Sequence, residues 1–181
     1  MQIKYIADLH LYDLYSLDWR TDFRTLDEYA QTLTECWNDF TSDDDIVIIV
    51  GDIGTYCPKT LATIAKLRGR KVLVKGNHDV DWGDKVYTCG LFQGIHENIY
   101  SNGVYVNHIP ERPDFECQYF IHGHHHRYDV PGMQQKLVEY SCDTYRLNCA
   151  ADLIDNHPNS ITELILNKEV LLDDYRVLGY L

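Results

Sequence analysis

The chain has 181 residues, 45% of them hydrophobic and 24% charged, the balance of a globular protein long enough to bury a core of its own. Its net charge of −12 argues against sequence-independent binding to duplex DNA, which depends on many Lys and Arg contacts to phosphate. The longest apolar run, Ile46 to Val50, is the size of a buried strand and far short of the roughly 20 residues that span a bilayer.

Met1 to Asp8 shows no basic stretch leading into an apolar run and a small-residue cleavage site, so no signal peptide is expected and the chain is assigned to the cytoplasm. Ile3 to Ala7 reads as a short strand. Leu26, Tyr29, Ala30, Leu33, Trp37 and Phe40 recur near helical spacing and predict an amphipathic helix over 26–40. Thr25 and Glu28 are set as its capping box. Ile46 to Val50, all β-branched, predicts a strand buried on both faces. Pro58 to Leu67 predicts a helix with proline in its first turn, and Lys71 to Val74 a third strand. This alternation argues for parallel pairing.

Beyond residue 95 the predicted strands crowd together, at Val104 to Asn107, Tyr119 to Ile121, Leu137 to Cys142 and Arg146 to Cys149, and antiparallel pairing is expected there. A last helix over Ser160 to Leu166 and a closing strand within Val170 to Leu181 complete the pattern. No repeat or Pro/Gly/Ser-rich linker divides the chain, so residues 1–181 are read as a single domain. Cys36, Cys57, Cys89, Cys117, Cys142 and Cys149 include no Cys-x-x-Cys pair. They are expected to be reduced and packed, which leaves metal chemistry to Asp, Asn and His.

The unusual residues stand just past the C-terminal ends of the predicted strands. They are Asp8-Leu9-His10, Gly51-Asp52, Gly76-Asn77-His78-Asp79, Asn107-His108 and His122-Gly123-His124-His125-His126. Taken singly, an aspartate there is an ordinary cap or turn residue. Taken together, these strand ends deliver Asp, Asn and His toward one crevice, the place where open α/β sheets bind ligands. Imidazole with carboxylate suits Mn, Fe, Zn, Ni or Co better than Mg or Ca. In extended backbone the i, i+2 spacing of Asp8/His10 and His124/His126 turns both members of a pair the same way. Gly51, Gly76 and Gly123 permit close backbone approach. The candidates Asp8, His10, Asp52, Asn77, His108, His124 and His126 are too many for one ion and fit two ions sharing a bridging carboxylate.

In this order and combination the motifs resemble those of the calcineurin-like metallophosphoesterase superfamily: Asp-x-His, Gly-Asp, Gly-Asn-His-Asp/Glu, a single His, and Gly-His-x-His. Arg24, Trp37-Asn38, Gly69-Arg70-Lys71, Arg146-Leu147-Asn148, Asp152 and Pro158 look similar to a small bacterial and phage-type branch of it. The resemblance implies an α/β (α+β) fold, a two-sheet mixed β-sandwich flanked by helices, with the metals at one edge. It implies one divalent transition-metal ion on Asp8, His10, Asp52 and His126 and a second on Asp52, Asn77, His108 and His124. Manganese stands foremost, with iron, zinc, nickel or cobalt as alternatives. It places His78 off the metals and at the leaving group. Asp79, its neighbour, is read as the carboxylate that orients the His78 ring and favours the imidazolium.

The expected activity is hydrolysis of a phosphodiester or phosphomonoester by metal-activated water. The expected partner is a small phosphate ester, with no duplex nucleic acid and no membrane. A non-catalytic metal-binding scaffold of the same fold, and a nuclease acting on short single-stranded nucleic acid, stand as alternatives. Arg20, Arg24, Arg112 and Arg127 are candidates either for a substrate phosphate or for surface ion pairs. Tyr12, Tyr15 and Trp19 line a pocket or simply pack, and the loops over 11–24 and 80–95 are expected to shape that pocket. His125 is expected to face away from the site, and Asp43 to Asp45 to form a solvated loop.

Overall fold

Strands β1 (Ile3–Ile6), β2 (Ile46–Val50), β3 (Arg70–Val74) and β4 (Gly94–His96) pair in sequence order, every pair parallel. They are seen in a computed structural model that describes residues 1–126, 143 and 145–177. Parallel neighbours need crossovers: α1 (Leu26–Phe40) and α2 (Pro58–Lys66) supply the first two, and the short α3 (Lys85–Thr88) lies in the third. The α1 helix begins where expected, because Thr25 Oγ1 accepts the Glu28 N–H at 3.1 Å. Glu28 answers one residue further back than a capping box does, accepting the Arg24 N–H at 2.9 Å. The helix buries Tyr29, Ala30, Leu33 and Trp37. The Trp37 indole donates to the Arg68 carbonyl at 3.0 Å, which fixes α1 against the entry to β3.

The second sheet contains β5 (Ile99–Ser101), β6 (Val104–Val106), β7 (Tyr119–His122) and β8 (Arg146–Asn148), in that order. Among the described strands the expectation of antiparallel pairing holds only for β5 with β6, which turn on Asn102-Gly103, both left-handed. The β6–β7 and β7–β8 pairs are parallel. The segment 107–118 is long enough to cross over and bring β7 in alongside β6 in the same direction. The strand predicted at Leu137 to Cys142 and the candidate Arg127 lie outside the described residues.

No closing strand occupies 170–177: α4 (Ile161–Val177) runs through it. Ser160 and Glu163 form a full capping box at its start, the Ser160 N–H donating to Glu163 Oε2 at 2.7 Å and the Glu163 N–H to Ser160 Oγ at 3.4 Å. Val170-Leu171-Leu172 is apolar enough for a strand but lacks the period-2 alternation of one. Lys168, one turn earlier, anchors the helix by donating to the Arg146 carbonyl at 2.8 Å. No described helix is long and apolar enough to cross a membrane. Cys36, Cys57, Cys89, Cys117 and Cys149 carry free thiols.

The two sheets are joined where β1 ends. The Ala7 N–H donates to the Cys149 carbonyl at 2.8 Å and the Ala151 N–H to the Ala7 carbonyl at 2.9 Å. One continuous core links Ile6, Ile49 and Leu73 of the first sheet with Val106, Ile121 and Leu147 of the second. The C-terminal ends of β1, β2, β3, β6 and β7 consequently open on the same edge.

Candidate metal centre

At that edge the backbone after β1 is not extended. Asp8, His10 and Tyr12 are left-handed, with φ of 58°, 42° and 56°, while Leu9 and Leu11 between them are fully buried. Left-handed backbone costs a non-glycine residue about 1–2 kcal/mol, so the surroundings must impose it. The Asp8 N–H donates to the Gly51 carbonyl at 3.0 Å and the His10 N–H to the Asp52 carbonyl at 2.9 Å. From the other side Arg20 donates to the Asp8 carbonyl at 2.6 Å and the Tyr29 hydroxyl to the Leu9 carbonyl at 2.8 Å. Arg20 is 3% exposed, and its guanidinium stacks 4.4 Å from the Tyr29 ring centroid. This corrects its candidacy as a phosphate contact: it holds the first motif in shape.

The turns after β2 and β3 are locked to each other by Asp79. Its carboxylate accepts the Asp52, Ile53 and Gly76 N–H groups at 2.9, 2.8 and 2.8 Å. Burial raises the Asp79 pKa, with the Asp52 charge adding to it, against the lowering effect of these three donors. Both oxygens are thus spent on backbone, in place of the orienting bond to His78 read from the sequence. His78 is exposed, with its ring centroid 5.4 Å from that of His10 and its N–H on Asp52 Oδ1 at 2.9 Å.

Asp8, His10 and His126 form one cluster and Asp52, His108 and His124 another, the potential ligand atoms of each lying within 4.8 Å of one another. Asp52 Oδ2 stands between the two, 3.8 Å from His10 Nε2 and 3.1 Å from His108 Nε2. Asn77 Oδ1 completes the second cluster, 2.9 Å from His108 Nε2 and 3.1 Å from His124 Nδ1. In the first, His126 Nε2 is 3.5 Å from Asp8 Oδ1. All seven candidates read from the strand ends meet here.

The donor set suits cations. Asp8 Oδ1 and His10 Nε2 are buried without a hydrogen-bond partner, an arrangement that costs stability unless something satisfies them. Space for the set depends on glycine: a methyl group at Gly123 would overlap Asp8 Oδ2 and the Ala7 side chain, and one at Gly76 would overlap the Asp52 carboxylate.

The electrostatics follow from this crowding. Burial by itself would push the His108 pKa down, but Asp52 and Asp8 outweigh it and hold His108 up at about 9. Asp8 and Asp152 likewise overcome burial at His126, also to about 9. Asp52, against its own burial, is drawn down to about 2, first by His108. His124 is lowered by burial and then by the His108 charge. The carboxylates favour positive charge beside them, and in the absence of metal the His108 and His126 rings carry it as protons.

The calcineurin-like phosphoesterase family profile matches residues 1–156, a span that includes every residue of both clusters. The chain belongs to the calcineurin-like phosphoesterase family. No curated protein matches it. The crystal structure of AQ665 from Aquifex aeolicus, a protein of unknown function, is similar with a TM-score of 0.67 at 23% identity, covering 90% of this chain and 96% of that one. That likeness bears on the fold alone. Family membership implies a metal-dependent hydrolase of phosphoesters, and the two Asp/His clusters are the places where this phosphoesterase can hold divalent ions.

Several side chains near the metal centre differ from their sequence reading. Asp152, which the motifs do not flag as a site residue, accepts from or faces His126 Nδ1 at 3.2 Å, and Asp13 Oδ2 lies 3.4 Å from His10 Nδ1, in ion-pair range. Neither pair is adjacent in sequence, and only the fold reveals them. Trp19 packs edge-on to His10, 5.5 Å between centroids, so it walls the site. His125 is buried. Asp45 is buried too, accepting the Gln2 N–H at 2.7 Å and the Ser42 N–H at 3.0 Å, so the acidic run ends in a structural cap.

Proposed function

We propose that this phosphoesterase hydrolyses a small phosphodiester or phosphomonoester in the cytoplasm, using two divalent transition-metal ions of which manganese is foremost. The observation that carries the reading is the position of Asp52 Oδ2 between two Asp/His clusters, one of which leaves ligand atoms buried and unpartnered. Asp8, His10, Asp52 and His126 would hold one ion, and Asp52, Asn77, His108 and His124 the other. When bound, such a pair activates water and neutralises charge on phosphate oxygens.

The chain's own contribution beyond ligation centres on His78. Its backbone is tied to Asp52 Oδ1, while its ring stands exposed beside His10. From there it can give a proton to the departing alkoxide, as a general acid does. A groove of about 680 Å³ begins at Asn77 and passes Val80, Tyr87, Asn98 and Asn107. It has room for the alcohol portion of an ester. Lys75 on its wall is paired with Glu97, which favours an uncharged group there.

The test is hydrolysis of bis-p-nitrophenyl phosphate and p-nitrophenyl phosphate by metal-stripped protein before and after Mn²⁺ is restored. Mn²⁺-dependent turnover is the expected result, and the ratio of the two rates distinguishes diester from monoester preference. Mn²⁺ binding with turnover of neither ester would favour a non-catalytic scaffold.

A further inference from the structure

We infer that the groove leading from Asn77 is a nucleoside subsite: the ester hydrolysed here has a nucleoside as its alcohol portion, with Tyr87 stacking on the base and Asn98 and Asn107 reading its edge. The inference rests on the phosphoesterase reading given above and adds the class of substrate and the residues that select it.

The groove is joined to the second Asp/His cluster through Asn77, which lines it. The rest of its lining comes from two parts of the chain. Val80, Val86 and Tyr87 belong to the stretch that follows Asn77 and holds α3, while Asn98 stands before β5 and Asn107 after β6. Val86 is buried and ties α3 to the core, but Val80 is 76% and Tyr87 58% exposed. Two large apolar side chains are therefore left uncovered along one groove beside the metal centre. An uncovered tyrosine ring offers a face on which a flat ring can stack, and every nucleobase has such a face.

The polar groups of the groove are amides more than free charges. An asparagine side chain presents both a donor and an acceptor. A base edge presents the same mixture, and this is how Asn pairs with adenine through two bonds. Asn107 donates to the Tyr105 hydroxyl at 3.2 Å, which steadies the amide and leaves its oxygen without a donor among the described residues. Asn98 is exposed, and its amide makes no hydrogen bond among the described residues. Lys75, the cation among the described lining residues, is paired with Glu97. Asp84 adds an exposed carboxylate that makes no capping hydrogen bond at the start of α3. A phosphate beyond the scissile one would meet carboxylates there and no unpaired cation. A neutral, flat alcohol with both donors and acceptors fits this lining, and a nucleoside has all of these properties.

Metal-free protein is titrated with adenosine and with cytidine, neither of which carries a phosphate, and binding is followed by saturation-transfer nuclear magnetic resonance. Tyr87→Ala and Asn98→Leu, both at exposed positions, should each weaken binding about tenfold or more, and thermal unfolding checks that each variant is folded. On the Mn²⁺-loaded protein, thymidine 5′-p-nitrophenyl phosphate should turn over with kcat/KM at least about tenfold above that of bis-p-nitrophenyl phosphate. The two variants should raise KM for the thymidine ester with little change in kcat, and a 3′-phosphate on the thymidine should lower kcat/KM about tenfold or more. Turnover of p-nitrophenyl esters without nucleoside binding, or nucleoside binding that both variants retain, would overturn the inference while leaving the phosphoesterase reading intact. Nucleoside binding that the variants lose, with turnover of no ester, would remove that reading and keep the groove as a nucleoside site.

Discussion

Replacing Asp79 by alanine separates two accounts of that residue. If its carboxylate serves the backbone, Asp79→Ala leaves three buried N–H groups, on Asp52, Ile53 and Gly76, without their acceptor. An unsatisfied buried donor costs about 1–3 kcal/mol. The low end applies, because burial already raises the Asp79 pKa and the carboxylate is itself costly to keep charged there. Three groups at about 1 kcal/mol each give about 3 kcal/mol. With a urea slope of about 2 kcal/mol per molar, the unfolding midpoint of the metal-free protein should fall by about 1.5 M. Asp79→Asn retains one acceptor oxygen and should fall between wild type and alanine. The measurement is equilibrium urea unfolding followed by tryptophan fluorescence, alongside esterase activity. An unchanged midpoint with abolished activity would refute this reasoning and return Asp79 to the role of orienting His78.

His78→Ala should keep both Mn²⁺ ions and lower kcat by roughly 10²–10⁴, seen by comparing metal content with turnover; loss of metal would contradict the role given to it. The pH dependence of metal loading follows from His108 and His126. Each has a folded pKa of about 9 against 6.5 for a free histidine, so the stabilisation from its protonated ring is complete below 6.5 and lost as pH rises through 9. Metal needs the neutral ring, so Mn²⁺ affinity should climb between pH 6 and pH 8 with release of protons, measured by calorimetry in buffers of different ionisation enthalpy; a pH-independent affinity would contradict the raised values. Tyr29→Phe removes the hydroxyl that binds the Leu9 carbonyl at 2.8 Å and should destabilise the fold by about 1–2 kcal/mol while also weakening Mn²⁺ binding, both read on the purified variant.

The sequence made the candidate ligands legible because each follows a strand, and strand ends of a parallel sheet share one edge. Periodicity found α1, α2 and the first three strands, where local pattern and tertiary environment agree. It mistook the second sheet, since the direction of β7 is decided by the length and path of 107–118 and not by the residues of β7. It also stopped α4 early, because apolar content alone does not distinguish a helix turn from a strand over Val170-Leu171-Leu172. The pairing of Asp8 with His10 was found through an argument from extended backbone that the left-handed residues do not satisfy. Arg20, Tyr29 and Asp152 act on residues distant in the chain or through main-chain atoms, and no spacing rule exposes them. Asp79 was visible as part of a motif, but its partners are three backbone N–H groups that a motif does not record.

The left-handed candidate ligands carry a further consequence. Asp8, His10, Asp52 and His124 have φ of 58°, 42°, 55° and 73°. Glycine would adopt this backbone without steric cost. That remedy is closed here, because glycine has no atom to offer a metal. These four positions therefore work against the stability of the fold that displays them, and the neighbouring hydrogen bonds, accepted by Gly51, Asp52 and Asp79 and donated by Arg20, resist relaxation instead of relieving it. Mutations that calm this edge would make a sturdier protein with less to do, and a search for thermostable variants left to run without an activity screen would find them first.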